Sequence, residues 1–168
     1  MVESYARELD VEIVLNSIGS LAGGGFTNSA YLVSPGGVSG LRYDKVHLVP
    51  FGEFVPAWAR VAFTESLVRE VGAFTPGRAP LVLPASVPLG VAICFEVVFP
   101  DLVAREVRLG AHVLTTLTND GWYGFSWAPR QHFAQVRLRA AETPPRGRRT
   151  SRTPGASSRL RTDRKSVV

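Results

Sequence analysis

One cysteine, Cys94, stands among 168 residues, and the residues beside it are of kinds that chemistry needs. It falls near the end of the apolar run VPLGVAICF (87–95) and is followed by Phe95, Glu96 and a segment that Pro100 opens. That puts the thiol at the carboxyl end of a buried strand, where a helix begins. In open α/β sheets this edge is where ligands bind, and a strand-to-helix turn presents a side chain together with free backbone N–H groups. A thiol so placed can attack an acyl carbon. A lone cysteine on an apolar strand is also an ordinary core residue, so Cys94 has to be judged by its company.

Acyl transfer through a thiol needs a base for its proton, a cation or N–H donors for the oxyanion, and a carboxylate to orient them. Lys45, Glu53 and Glu96 are groups of those kinds. Taken singly, Lys45 at a strand end reads as a solvated lysine and Glu53 in a loop as a surface carboxylate. Trp122 and Tyr123 lie in a glycine-bounded loop, where aromatics either line a pocket or bury against a sheet. A single cysteine excludes an internal disulfide and any zinc site built on several cysteines.

The elements that must position these residues follow from periodicity and turn chemistry. Residues 3–9 read as a helix end and EIVLNS (12–17) as a strand. After the turn LAGGG, the runs NSAYLVS (28–34) and GLRYDKVHL (40–48) flank SPGG and predict a hairpin with Lys45 late on its second strand. Two prolines and a glycine make VPFGEFVP (49–56) a shaped loop carrying Glu53. WARVAFTESLVREVG (58–72) has helical spacing and ends on a glycine cap. The run 87–95 suits a strand buried on both faces, DLVAREVRLG (101–110) a helix closed by Gly110, and AHVLTTLT (111–118) a second buried strand. NDGWYG (119–124) is a turn-rich loop, and PRQHFAQVRLRAAE (129–142) is helical with Pro129 in its first turn. Strands alternating with helices indicate an α/β layered domain over residues 1–142.

The net charge of +5 would point to an anionic partner, but its distribution does not. Residues 143–168 carry a net +7, which leaves −2 for residues 1–142. That tail has no periodicity and no aromatic residue, so it is expected to be disordered. It lacks the interleaved aromatics or basic helix face of a nucleic-acid or lipid-binding arm. Its last six residues, DRKSVV, can be encoded by DNA resembling a sequencing adapter, so 143–168 is expected to be a frameshift or sequencing artefact. No apolar run reaches the ~18 to 20 residues needed to cross a bilayer, and MVESYARELD is not a signal peptide. As it stands the chain reads as soluble.

Three separated segments carry a family resemblance: YDKVHLVPFGEFVP (43–56), ICFEVVFPDL (93–102) and NDGWYGFSWAPRQH (119–132). In order and spacing they resemble the nitrilase superfamily of carbon-nitrogen hydrolases, whose members use a Glu-Lys-Cys triad. The VPFGEFVP loop, the acid two residues after the cysteine, and NDGWYG followed by QH and RLRAAE are similar to the apolipoprotein N-acyltransferases more than to soluble amidases. The resemblance runs over about residues 5–142. It implies a nitrilase-like four-layer α-β-β-α sandwich, here incomplete at both ends.

Carried over position by position, the resemblance makes Cys94 the nucleophile and Lys45 the triad lysine, which with the backbone N–H of Phe95 would stabilise the oxyanion. Glu53 and Glu96 match positions needed for activity, and Trp122 and Tyr123 match a loop lining the acyl pocket. The implied partners are a phospholipid acyl donor and the N-terminal diacylglyceryl-cysteine of an apolipoprotein. The implied location is the bacterial inner membrane, with the catalytic domain on the periplasmic side and membrane helices outside this chain. No metal, cofactor or nucleic acid is implied. The family's general-base glutamate is expected before Met1, because Glu3 sits on the helix preceding EIVLNS, the wrong element. Loss of a base costs ~10² to 10⁴ in rate, so the chain as written is expected to be inactive. The rival readings are a soluble amidase using the same thiol and a non-catalytic fragment.

Overall fold

The computed structural model describes residues 1–59 and 74–143. A first helix, α1 (Val2–Leu9), leads into three antiparallel strands, β1 (Ile13–Ser20), β2 (Phe26–Ser34) and β3 (Gly37–Asp44), in that spatial order. The second sheet holds β4 (Val82–Leu83), β5 (Leu89–Ile93) and β6 (Val113–Leu117), with β4 antiparallel and β6 parallel to β5. A 3-10 turn over Cys94–Val98 joins β5 to α2 (Pro100–Arg108), and a second over Asp120–Tyr123 precedes α3 (Ala128–Glu142). The parallel β5–β6 pair needs a crossover, and α2 supplies it.

The two sheets pack face to face. Ala30, Leu32 and Tyr43 from the first meet Leu83, Val91 and Ile93 from the second, all at most 3% exposed. Strand alternation sends Ala30 and Leu32 inward and Val33 to the opposite face, where α1 packs on β2. On the far side α2 packs on β5, and α3 on the 3-10 turn that follows it. The layers therefore run helix, sheet, sheet, helix, the α-β-β-α arrangement of a nitrilase-like fold.

Most elements lie where periodicity puts them, with three differences. The hairpin's second strand ends at Asp44, so Lys45 follows the strand instead of lying within it. The two-residue β4 has no signal of its own, because it is shorter than any alternation that could reveal it. β5 is buried as expected, whereas β6 is half-buried with Val113 43% exposed, since it borders only β5 among the described residues. The helix expected over 58–72 falls almost wholly in 60–73, and the tail in 144–168, both outside the described residues.

Candidate active site

Lys45 is fixed by its backbone before its side chain is considered. Its N–H donates to the Asn28 carbonyl at 2.8 Å, and its own carbonyl accepts from the Gly77 N–H at 2.7 Å. A Cβ at residue 77 would run into the Asp44 carbonyl, so only glycine lets that segment come so close. The Lys45 side chain is 1% exposed, and its Nζ donates to both Glu53 oxygens, at 2.9 and 2.8 Å. Glu53 also accepts from Asn28 Nδ2 at 2.6 Å and from the Val49 amide at 2.7 Å. Each carboxylate oxygen thus has two donors, which offsets the desolvation that an isolated buried ion would suffer. The prolines and Gly52 shape loop 49–56 so that residue 53 turns back onto residue 45.

Cys94 leaves β5 with φ +53°, in the left-handed region. For a residue with a Cβ this costs roughly 1 to 2 kcal/mol, and such strain gathers at strand-to-helix turns that aim a nucleophile. The half-buried thiol faces a cavity of about 490 Å³ whose wall also includes Lys45, Glu53, Asn16, Asn28 and Tyr123. Its sulfur is 3.9 Å from the Tyr123 hydroxyl, at the outer limit of a hydrogen bond to sulfur. Partial burial, and then the Cys94 sulfur, push the Tyr123 hydroxyl above its ordinary range. Trp122 contributes its backbone to the same 3-10 turn.

Glu96 and Phe95 do not line that cavity. Glu96 is fully buried and accepts four hydrogen bonds: Tyr43 hydroxyl at 2.8 Å, Val46 amide at 2.7 Å, His47 amide at 3.0 Å and Ile93 amide at 2.8 Å. It ties the end of β5 to the segment that carries Lys45, so it acts on the site by holding its two halves together. Burial, then Glu96, raises the Tyr43 hydroxyl far above its usual range, which keeps it a donor. The Phe95 ring points the other way, edge-on to Phe99, into an apolar hollow of about 450 Å³ that shares Phe74 with the Cys94 cavity. The amide of Phe95 belongs to the first turn of the 3-10 segment, where N–H groups lack intrahelical acceptors.

Asn16, Asn28, Asp120 and His132 were not singled out as site residues by the sequence. Asn16 Nδ2 donates to Asn28 Oδ1 at 2.7 Å, which leaves the Asn28 amide nitrogen aimed at Glu53. An asparagine pair on adjoining strands β1 and β2 was the available signal. His132 and Asp120 lie within the third motif and join the site through the backbone of Cys94. Among the described residues no group of three His, Cys, Asp or Glu is disposed to hold a metal ion, and no helix is long and apolar enough to cross a membrane.

Comparison with known proteins bears on the family and the fold. The apolipoprotein N-acyltransferase of Geobacter metallireducens is 40% identical over 145 residues, which are 84% of this chain and 28% of that protein. That of Rhodopseudomonas palustris is 42% identical over 120 residues, 68% of this chain and 22% of that one. The chain thus spans about a quarter of the length of these relatives. Among solved structures, a carbon-nitrogen hydrolase from Helicobacter pylori superposes with a TM-score of 0.56 at 21% identity, covering 83% of this chain and 44% of that one. An amidase from Nesterenkonia sp. gives 0.58 at 23%, covering 84% and 47%. These two likenesses establish the nitrilase-like fold. The carbon-nitrogen hydrolase family profile matches residues 2–144, and the chain belongs to that family.

Proposed function

We propose that these residues form part of the catalytic domain of an N-acyltransferase that moves a fatty acyl chain from a phospholipid to the N-terminal amine of an apolipoprotein. The observation that carries the reading is one cavity walled by Cys94 and by a Lys45 that Glu53 grips through both oxygens. In the first half-reaction the Cys94 sulfur attacks the ester carbonyl of the phospholipid, and the lysophospholipid leaves as its alcohol. The product is an acyl thioester. In the second, the amine attacks the thioester and Cys94 leaves as the thiol. A thioester is activated toward amines, and the apolar surface around the cavity disfavours water.

Lys45 supplies positive charge to the tetrahedral oxyanion, assisted by the Phe95 N–H. Glu53 is an orienting group and not the base, because both its oxygens are already saturated by donors. Glu96 positions the two halves of the site. Tyr123 borders the acyl pocket, and Trp122 is assigned to it on the family resemblance alone. The phospholipid donor, the diacylglyceryl-cysteine acceptor and a periplasmic face of the inner membrane belong to this reading, which the similarity to apolipoprotein N-acyltransferases supports. Residues 1–142 would carry the catalytic fold, with 143–168 outside it.

Mass spectrometry of the gene product that contains this chain, incubated with phospholipid beside a Cys94→Ala variant, tests the proposal. An acyl adduct on Cys94 that a lipopeptide amine releases is the expected result. Turnover of small amides with no acyl adduct would move the assignment to amide hydrolysis.

A further inference from the structure

We propose that His132 is a positioning residue that grips the Cys94–Phe95 peptide and so aims and polarises the Phe95 N–H as the oxyanion donor. The inference rests on the acyl-transfer reading above and adds a residue to it. His132 is 8% exposed, and its Nε2 lies 2.9 Å from the carbonyl oxygen of Cys94. A carbonyl oxygen only accepts, so Nε2–H is the donor. On the other side of the ring Nδ1 is 3.3 Å from Asp120 Oδ1, and that oxygen also accepts from Thr118 Oγ1 at 2.7 Å. The ring thus stands between the Cys94 carbonyl and Asp120, delivered by α3 to the turn after β5.

The bond matters because of which peptide it holds. The carbonyl of Cys94 and the N–H of Phe95 are the two ends of one planar unit, and among the described residues every peptide is trans, so they point in opposite directions. Fixing the carbonyl from behind fixes the direction of the N–H in front. Hydrogen bonding at the carbonyl also draws electron density from the amide and strengthens its N–H as a donor. The same unit follows a residue held at φ +53°, a conformation that needs its surroundings to over-determine it. His132 meets that need without touching the reacting atoms.

Two probes separate this role from mere structural support. Acylation of Cys94 by a p-nitrophenyl ester forms the S–C bond through a tetrahedral oxyanion and expels p-nitrophenolate. Alkylation by iodoacetamide displaces iodide at a CH₂ carbon and forms no oxyanion. In the gene product containing this chain, His132→Leu should slow acylation by roughly 10- to 100-fold, less than outright removal of an oxyanion donor. Alkylation should stay within about 3-fold by the same reasoning, since no oxyanion donor takes part. His132→Gln, which keeps an N–H donor near the Nε2 position, should restore most of the acylation rate and covers the case in which the leucine variant does not fold. Parallel loss of both reactions in the glutamine variant, or unchanged acylation in the leucine variant, overturns the inference and leaves the acyl-transfer reading standing. A parent protein that is alkylated but never acylated overturns both.

Discussion

The Tyr43 hydroxyl donates to the Glu96 carboxylate at 2.8 Å, and neither side chain has any exposed surface. Tyr43 is on the penultimate position of β3, and Glu96 is two residues beyond the thiol, so one buried hydrogen bond links the strand that leads to Lys45 with the turn that presents Cys94. With the amides of Val46, His47 and Ile93 on the same carboxylate, four donors converge on one anion.

Replacing that anion by a neutral amide should therefore be expensive. In Glu96→Gln at least one of the positions facing donors becomes an NH₂ group, and a buried donor left without an acceptor costs about 1 to 3 kcal/mol. We expect a loss of about 2 to 4 kcal/mol in urea denaturation, since more than one bond is affected. Tyr43→Phe, which removes a single donor, should cost about 1 to 2 kcal/mol. A Glu96→Gln protein within 1 kcal/mol of its parent, on that same scale, would contradict the arrangement.

Lys45 and Glu53 should behave as a coupled pair. Glu53→Gln leaves an almost fully buried ammonium without its counter-charge and is expected to destabilise by about 3 kcal/mol. Lys45→Met should reduce acylation of Cys94 by roughly 10² to 10³, the effect of removing an oxyanion-stabilising group. The double variant should be less destabilised than the sum of the two single ones, because the second substitution removes the charge that the first stranded. Additive losses in a double-mutant cycle would show the pair to be uncoupled.

Glu106 predicts a pH dependence. It is fully buried on α2, its oxygens have no hydrogen-bond partner of good geometry, and it borders a cavity of about 40 Å³ opposite Arg139, itself 5% exposed with unpaired nitrogens. Burial first, and then the charge of Glu96, push its carboxyl up to about 8, which the Val91 amide only partly offsets. A folded-state value raised above the unfolded one means that the folded protein binds more protons between the two. Glu106 therefore favours folding most below the unfolded value near 4.5, and this contribution declines as the pH rises toward 8. Glu106→Gln should flatten the fall in urea midpoint over that interval; an unchanged slope would show that Glu106 is already ionised at neutral pH.

Gly77→Ala tests how Lys45 is held. A methyl group at residue 77 meets the Asp44 carbonyl, so the segment must retreat and its bond to the Lys45 carbonyl lengthens or breaks. A destabilisation of about 1 to 3 kcal/mol is expected, with a slower acylation of Cys94 in the protein that remains folded. Wild-type rates in a folded alanine variant would mean that Lys45 does not depend on this contact.

Sequence reading was strongest where a local rule applied and weakest where the answer lay in a side chain's direction. SPGG set the β2–β3 hairpin, and Pro100 with Gly110, at φ +105°, bounded the helix after Cys94. The resemblance named Phe95 for its backbone N–H and Glu96 as a position needed for activity, and neither assignment says where the side chain goes. The 3-10 turn sends the ring of one into a separate hollow and the carboxylate of the other into the sheet interface. His132 escaped notice because its partner lies 38 residues away on a backbone atom, and no residue type signals a bond to a carbonyl.

By itself, then, the sequence determined the order of the elements, the placement of the thiol at a strand end and the loop that returns Glu53 toward Lys45. Each depends on periodicity, proline, glycine and short-range spacing, which act within a few residues. Only the tertiary structure decided which side chains share the cavity with Cys94, that Glu96 braces the two sheets, and what stands behind the Cys94 carbonyl. Those choices depend on the left-handed turn at a non-glycine residue and on the packing of two sheets against each other. A strained conformation of that kind is favoured by the assembled contacts and not by the propensity of cysteine, so it could be read only once the chain was folded.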